Sequence, residues 1–119
     1  FVKQMAKLAE QQANKRGYIL TVGGRRCRFP EKDGGGWDWC HKALNRLIQG
    51  SSGDQTKIAM VEADAAGFAI QLQVHDELDH SAADRAEAEA LGHLMQECVT
   101  ANVPFKVDTE IGISWGEAA

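Results

Sequence analysis

Apolar residues recur at Val2, Met5, Leu8, Ala9 and Ala13, with lysines and glutamines between them. That spacing predicts an amphipathic helix, and Gly17 stops it. Tyr18-Ile19-Leu20-Thr21-Val22 is β-rich, Gly23-Gly24 signals a two-residue hairpin turn, and Arg25 to Phe29 is the returning strand, closed by Pro30. Alternation places Arg26 and Arg28 on one face of that strand and Cys27 and Phe29 on the other. Glu31 to Gly36 is a polar, glycine-rich loop.

The helical period returns from Asp38, through Ala43, Leu44, Leu47 and Ile48 and again through Ile58, Val61 and Ala65. Gln49 to Asp54 interrupts it with two glycines, each costing a helix about 1 kcal/mol relative to alanine. Ser52 and Gln55 have capping-box spacing, so a fresh helix is expected to start there. Small residues in mid-helix also let another backbone or a ligand come close. Phe68, Ile70, Leu72 and Val74 then alternate with polar or small residues, the pattern of a strand with one apolar face. Asp76-Glu77 follows at its tip, with a shorter strand through Leu78. Ala83, Ala86, Ala90, Leu91, Leu94, Met95 and Cys98 form a helical stripe, and alternation from Phe105 to Trp115 predicts a closing strand. The order predicts an α+β fold, a largely antiparallel sheet backed by helices, in one compact domain.

Composition changes this picture little. At 44% hydrophobic and 25% charged, the 119 residues are ordinary for a globular protein. No apolar run approaches the ~18 residues of a membrane helix, so no membrane partner is expected. The chain begins at Phe1 rather than Met and is expected to be a piece of something longer or a processed product. Three widely spaced cysteines argue against a disulfide framework and fit a reducing compartment. Cys40-His41 with His75 or His80 offers zinc donors at unremarkable spacing; scattered structural cysteines are the favoured reading. Charge changes the picture more. Residues 1–57 carry eleven Lys+Arg against five Asp+Glu, whereas residues 58–119 carry two against twelve. A basic half suits a polyanion, and an acidic half suits solvent or divalent cations.

The candidate chemistry lies in Gln73-Val74-His75-Asp76-Glu77-Leu78. Two adjacent carboxylates beside a histidine repel each other unless a cation intervenes, and oxygen-only ligation suits Mg²⁺ or Mn²⁺. Adjacent strand residues face opposite ways, so one carboxylate of the pair is expected as the direct ligand. The alternative is an exposed acidic turn. A second group is His41, Asn45 and Gln49, four residues apart, whose side chains reach a common partner. Amides and imidazoles donate to the acceptors that every base pair presents in the minor groove. A solvated polar helix face is the alternative.

Taken in order, four blocks resemble the C-terminal part of the palm in family A (polymerase I-like) DNA polymerases. Thr21, Gly24, Arg25 and Arg26 resemble its T-x-x-G-R-R hairpin. Ala43-Leu44-Asn45, Gln49-Gly50-Ser51, Asp54, Lys57, Ala59 and Met60 resemble its A-[LI]-N-x-x-x-Q-G-[ST]-x-x-D-x-x-K-x-A-M helix. Gln73 to Leu78 matches its motif C, Q-V-H-D-E-L, without a gap, and Pro104, Val107, Gly112 and Trp115 fit its closing strand. The resemblance covers nearly the whole chain. It implies that Asp76 helps hold two catalytic Mg²⁺ ions, with Glu77 a supporting carboxylate. It also implies that His75 lies close to the primer end and that Asn45 and Gln49 touch the minor groove of the new base pairs. His41 stands where many members have arginine, a phage-type variation. From charge, Arg25 and Arg26 are read as phosphate contacts.

The family's motif A, with the other metal-binding aspartate, and its motif B, which binds the incoming nucleotide, have no counterpart in these residues. Asp79-His80 stands where the family usually has an apolar strand residue. The expected function is therefore the C-terminal catalytic segment of a DNA-directed DNA polymerase, active only with a portion carrying motifs A and B. Its partners would be primer-template duplex DNA, dNTP through that portion, the remaining polymerase portion itself and, through an exposed core, a second copy of the chain. The cell interior, bacterial or phage-infected, is the expected location. The alternatives are a non-catalytic palm remnant that binds duplex DNA or a partner protein, and a metal-dependent nuclease. The nuclease needs a third converging carboxylate that the sequence does not clearly provide.

Overall fold

The computed structural model describes residues 1–118, whose contacts gather into two compact units, Phe1–Asp54 and Gln55 onward. The sequence reads as one domain, yet the division falls inside a helix. Each unit contributes a small two-stranded antiparallel sheet, so the single larger sheet expected from the strand pattern is in fact two hairpins.

In the first unit, helix α1 (Val2–Arg16) ends where the sequence places the stop. Gly17 takes φ 73° and donates its N–H to Ala13 O at 2.8 Å, while Lys15 and Arg16 sit favourably at the negative end of the helix. Space as well as φ requires glycine here, because a Cβ would lie 2.5 Å from the Trp37 ring. Strands β1 (Tyr18–Leu20) and β2 (Arg26–Arg28) pair from Tyr18↔Arg28 to Leu20↔Arg26. The turn is not the expected two-residue one. Thr21 N–H donates to Arg25 O, closing three residues, Val22-Gly23-Gly24, with Gly24 at φ 77°. After the glycine-rich loop a single 3-10 turn (Cys40–Lys42) leads into α2 (Ala43–Ala65). Ala9, Ala13, Ile19, Phe29, Cys40 and Ala43 form the buried core. Beside it, Met5, Leu8, Leu20, Leu44 and Leu47 help line an open apolar groove of about 320 Å³.

The expected restart at Ser52 does not occur: α2 is continuous for 23 residues through both glycines. Packing overrides propensity here. A Cβ at Gly50 would lie 2.8 Å from Thr21 Cγ2 and 3.2 Å from Cys27 Sγ, so this glycine is where the hairpin seats against the helix.

In the second unit, β3 (Ile70–Val74) and β4 (Glu77–His80) form the motif C hairpin, with an irregularity between Ile70 and Leu72. The slip leaves Leu72 47% exposed, so the strand lacks the clean apolar face that its alternation predicts. Asp79 and His80 are both accommodated in β4. Helix α3 (Arg85–Glu97) opens on Asp84, which accepts from Glu87 N at 2.9 Å, while Glu87 accepts from Ala83 N at 2.6 Å. Ala59 and Ala63 of α2 pack with Leu91 and Met95 of α3, flanked by Phe68, Ile70 and Leu78. The predicted closing strand does not form among the described residues. Its alternation is real, but a strand needs a partner's hydrogen bonds, and none pairs with it. The segment instead runs over α3, where a Cβ on Gly92 would lie 2.5 Å from Thr109 Oγ1, and Trp115 opens a short helix, α4 (Trp115–Ala118). Among the described residues no helix is long and apolar enough to cross a membrane.

Candidate functional site

The motif C residues are built on a two-residue turn. Val74 pairs with Glu77, so His75 and Asp76 occupy the turn itself and Asp76 is not the strand residue that alternation suggests. His75 takes φ 54°, a left-handed conformation that costs a non-glycine residue on the order of 1 kcal/mol. Histidine is among the side chains that tolerate this region best. The Gln73 side-chain amide donates to His75 O and ties the turn back to its own strand, a role the sequence alone did not assign to Gln73. The result is that His75, Asp76 and Glu77 are all exposed at one tip.

Carboxylates gather around that tip. Glu77 Oε1 accepts from Trp115 Nε1 at 3.2 Å, so the tryptophan expected in the closing strand supports the acidic pair instead. Two residues along β4 from Glu77, Asp79 has its pKa raised by burial first and then by the neighbouring Glu77 carboxylate. Asp79 Oδ2 and both ring nitrogens of His80 are buried with no hydrogen-bond partner. No ion pair involves Asp76, Glu77 or Asp79 among the described residues. The donors are oxygen atoms of the kind that suit a hard divalent cation, but they are too few to enclose one. Among the described residues no group of three or more His, Cys, Asp and Glu side chains converges to hold a metal ion. Cys40 is a buried thiol whose pKa burial raises, and Cys27 and Cys98 are free and half-buried.

In the first unit, His41 lies in the 3-10 turn, and Asn45 and Gln49 follow at four-residue steps on α2. All three are exposed. His41 stacks on Trp39, with ring centroids 6.5 Å apart, and Lys42 Nζ lies 3.8 Å from the Trp39 centroid. Arg26 is exposed on β2, its guanidinium 5.0 Å from the Tyr18 centroid. Arg25 is differently engaged: its Nε donates to Asp54 Oδ1 at 2.7 Å and its Nη2 to Gly50 O at 3.0 Å.

Asp54, whose role the sequence did not reveal, is the centre of that contact and only 7% exposed. Burial alone would raise its pKa. The Thr21 hydroxyl, the Arg25 guanidinium and the Gly23 backbone N–H outweigh burial and hold the pKa below the usual value. Ser51 Oγ accepts from Val22 N at 3.0 Å beside it. The T-x-x-G-R and Q-G-S-x-x-D blocks, read separately along the chain, are thus two sides of one contact.

Residues 1–117 match the family model described as DNA polymerase family A. The chain belongs to DNA polymerase family A. It is 53% identical over 118 residues to a DNA-directed DNA polymerase of Pseudomonas phage M6, covering 99% of this chain and 18% of the relative. It is 38% identical over 122 residues to DNA polymerase I of Mycobacterium leprae, covering 92% of this chain and 13% of that protein. Among solved structures it resembles the polymerase domain of Pol1 from M. smegmatis, in complex with DNA primer-template and dNTP. That match has a TM-score of 0.80 and 36% identity, covering 98% of this chain and 23% of the other. The chain therefore spans less than a fifth of these curated family A relatives. The family and the mixed helix-and-hairpin fold agree with the sequence reading, including its phage kinship.

Proposed function

We propose that this chain is the C-terminal catalytic segment of a DNA-directed DNA polymerase, working with a portion that carries motifs A and B. The observation that carries the reading is the exposed Q-V-H-D-E-L hairpin tip in a chain that matches family A from end to end of its described site. Asp76 is the residue that would hold a divalent cation, with Glu77 supporting it. Such cations supply activation of the primer hydroxyl and neutralisation of charge on the α-phosphate. Asp76 is exposed at the tip for this role, while Gln73 and Trp115 fix the turn and the neighbouring carboxylate. His75 lies beside the primer end in this reading, and Asn45, Gln49 and His41 donate to the minor groove. Arg26 contacts the phosphate backbone. Primer-template DNA and dNTP are the partners, as in the complex of the mycobacterial relative. The open apolar groove beside α1 supports a further need, for the remaining polymerase portion to cover it.

The test is a chimera. The matching segment of the Pseudomonas phage M6 polymerase is replaced by these residues, and primer extension is followed. The chimera is expected to extend primers, and the 119-residue chain alone is expected not to. Extension by the rigorously purified chain, or a folded chimera without activity, would overturn the proposal.

A further inference from the structure

We propose that Asp54, Arg25 and Thr21 form a clasp that positions the DNA-facing groups of the first unit, with Arg25 bracing the hairpin against α2 rather than contacting a phosphate. The proposal rests on the polymerase reading above and deepens it. Four contacts join the hairpin turn to one turn of α2. Arg25 Nε donates to Asp54 at 2.7 Å, Arg25 Nη2 to Gly50 O at 3.0 Å, Val22 N to Ser51 Oγ at 3.0 Å, and the Thr21 hydroxyl to the second Asp54 oxygen. Thr21 Oγ1 in turn accepts from Arg25 N at 3.1 Å, so the network closes on itself. Glycine at position 50 admits this approach, since any side chain would meet Thr21 and Cys27. The clasped helical turn begins one residue after Gln49, and the clasped hairpin turn ends one residue before Arg26. The clasp therefore fixes the proposed groove contact and phosphate contact relative to each other. All three guanidinium nitrogens face internal acceptors, Nη1 pointing to Cys27 Sγ at 3.8 Å, and this site uses the fork geometry that a lysine lacks.

The experiment measures duplex DNA binding by the 119-residue chain across salt concentrations, with circular dichroism showing that each variant is folded. Arg26→Ala is expected to flatten the log–log salt slope by about 0.9, one phosphate contact. Arg25→Ala is expected to lower affinity at every salt while leaving the slope unchanged. Arg25→Lys separates the roles further. A point charge serves a phosphate nearly as well as arginine, so a phosphate contact would keep affinity within about twofold. The clasp, which needs the fork, would lose as much as in Arg25→Ala. Asp54→Asn is expected to match Arg25→Ala, with no further loss in the double variant, and to abolish the effect of Gln49→Ala. A purely structural role would leave the Gln49→Ala effect intact. An Arg25→Ala slope that flattens as Arg26→Ala does would overturn the proposal. Absence of duplex binding by the unsubstituted chain at low salt would overturn the DNA reading alone. The clasp is then judged by hydrogen exchange: joint loss of protection in β1, β2 and residues 50–54 on Asp54→Asn supports it, and unchanged protection refutes it.

Discussion

Asp54 and Asp79 are both carboxylates drawn below the surface, one in each unit, and their surroundings are opposite. Asp54 meets a guanidinium, a hydroxyl and a backbone N–H, and its pKa falls despite burial. Asp79 meets another carboxylate, leaves one oxygen without a partner, and its pKa rises. A buried charge is costly unless paired and hydrogen-bonded, and the first unit supplies the whole set of partners from its own chain. The second unit supplies almost none and places two more acidic groups, Asp76 and Glu77, at the same tip. The difference separates a carboxylate that holds the fold from one that its own unit leaves without an opposite charge. The same logic covers the backbone: the strained φ at His75 sits in the uncompensated unit, at the candidate site, where a preorganised turn is useful.

The largest effect is expected at Asp76. In the chimeric polymerase, Asp76→Asn is expected to lower kcat by several orders of magnitude with primer-template affinity nearly unchanged, because the shape stays and the anchoring charge goes. Single-turnover kinetics with varied primer-template separate the two. Activity within tenfold of the parent would place the essential charge elsewhere.

Asp54→Ala should show the reverse pattern, a loss of folding. With the carboxylate gone, Thr21 and the Arg25 guanidinium lose their partner, and about 2–3 kcal/mol of stability should go with it. The pH dependence follows from the lowered pKa. Stability from Asp54 is present above its unfolded value of about 3.9 and is lost as pH falls through the lower folded value. Denaturant melts of the chain and of Asp54→Ala should therefore converge in strong acid. Asp79→Asn is expected to act with opposite sign. Because the folded pKa is raised, ionising Asp79 costs stability as pH rises through the carboxylate range, so removing that charge should raise Tm at pH 7 by a few degrees. The gain should shrink as pH falls and the Asp79 carboxylate of the parent takes up its proton. A loss of stability at pH 7 would mean that Asp79 has a partner the comparison denies it.

Much of this architecture was legible in local pattern, and the departures have physical causes. Helices α1 and α3 follow from their periodicity, and α1 also from the stop at Gly17, since caps and faces are properties of neighbouring residues. The continuity of α2 was not legible, because Gly50 answers to the hairpin that packs on it, 23 or more residues earlier in the chain. The closing strand failed for the converse reason: alternation describes one segment, while a strand is a relation between two. The motif C tip was legible as a hairpin tip but not in its exact turn residues, because His75 holds φ 54° without the glycine that usually marks such a position. Asp54 stood in the open in the helix motif, yet nothing in a 29-residue separation reveals that Arg25 is its ion-pair partner.

The smallest effect tests whether the compensated unit also serves function. Gln49 is exposed and has no part in the clasp, so Gln49→Ala should leave the fold intact and the melt unchanged. Its proposed work is one hydrogen bond to a minor-groove acceptor, worth about 0.5–1.5 kcal/mol net. In the chimera that corresponds to a roughly 2- to 13-fold slowing of extension. The effect should be larger on matched than on mismatched primer ends, because only a correctly shaped pair presents its acceptor where the amide points. Asn45→Ala, one helical turn away, should behave in the same way. Equal slowing on matched and mismatched ends would reduce both amides to a solvated helix face and leave the first unit with a structural role alone.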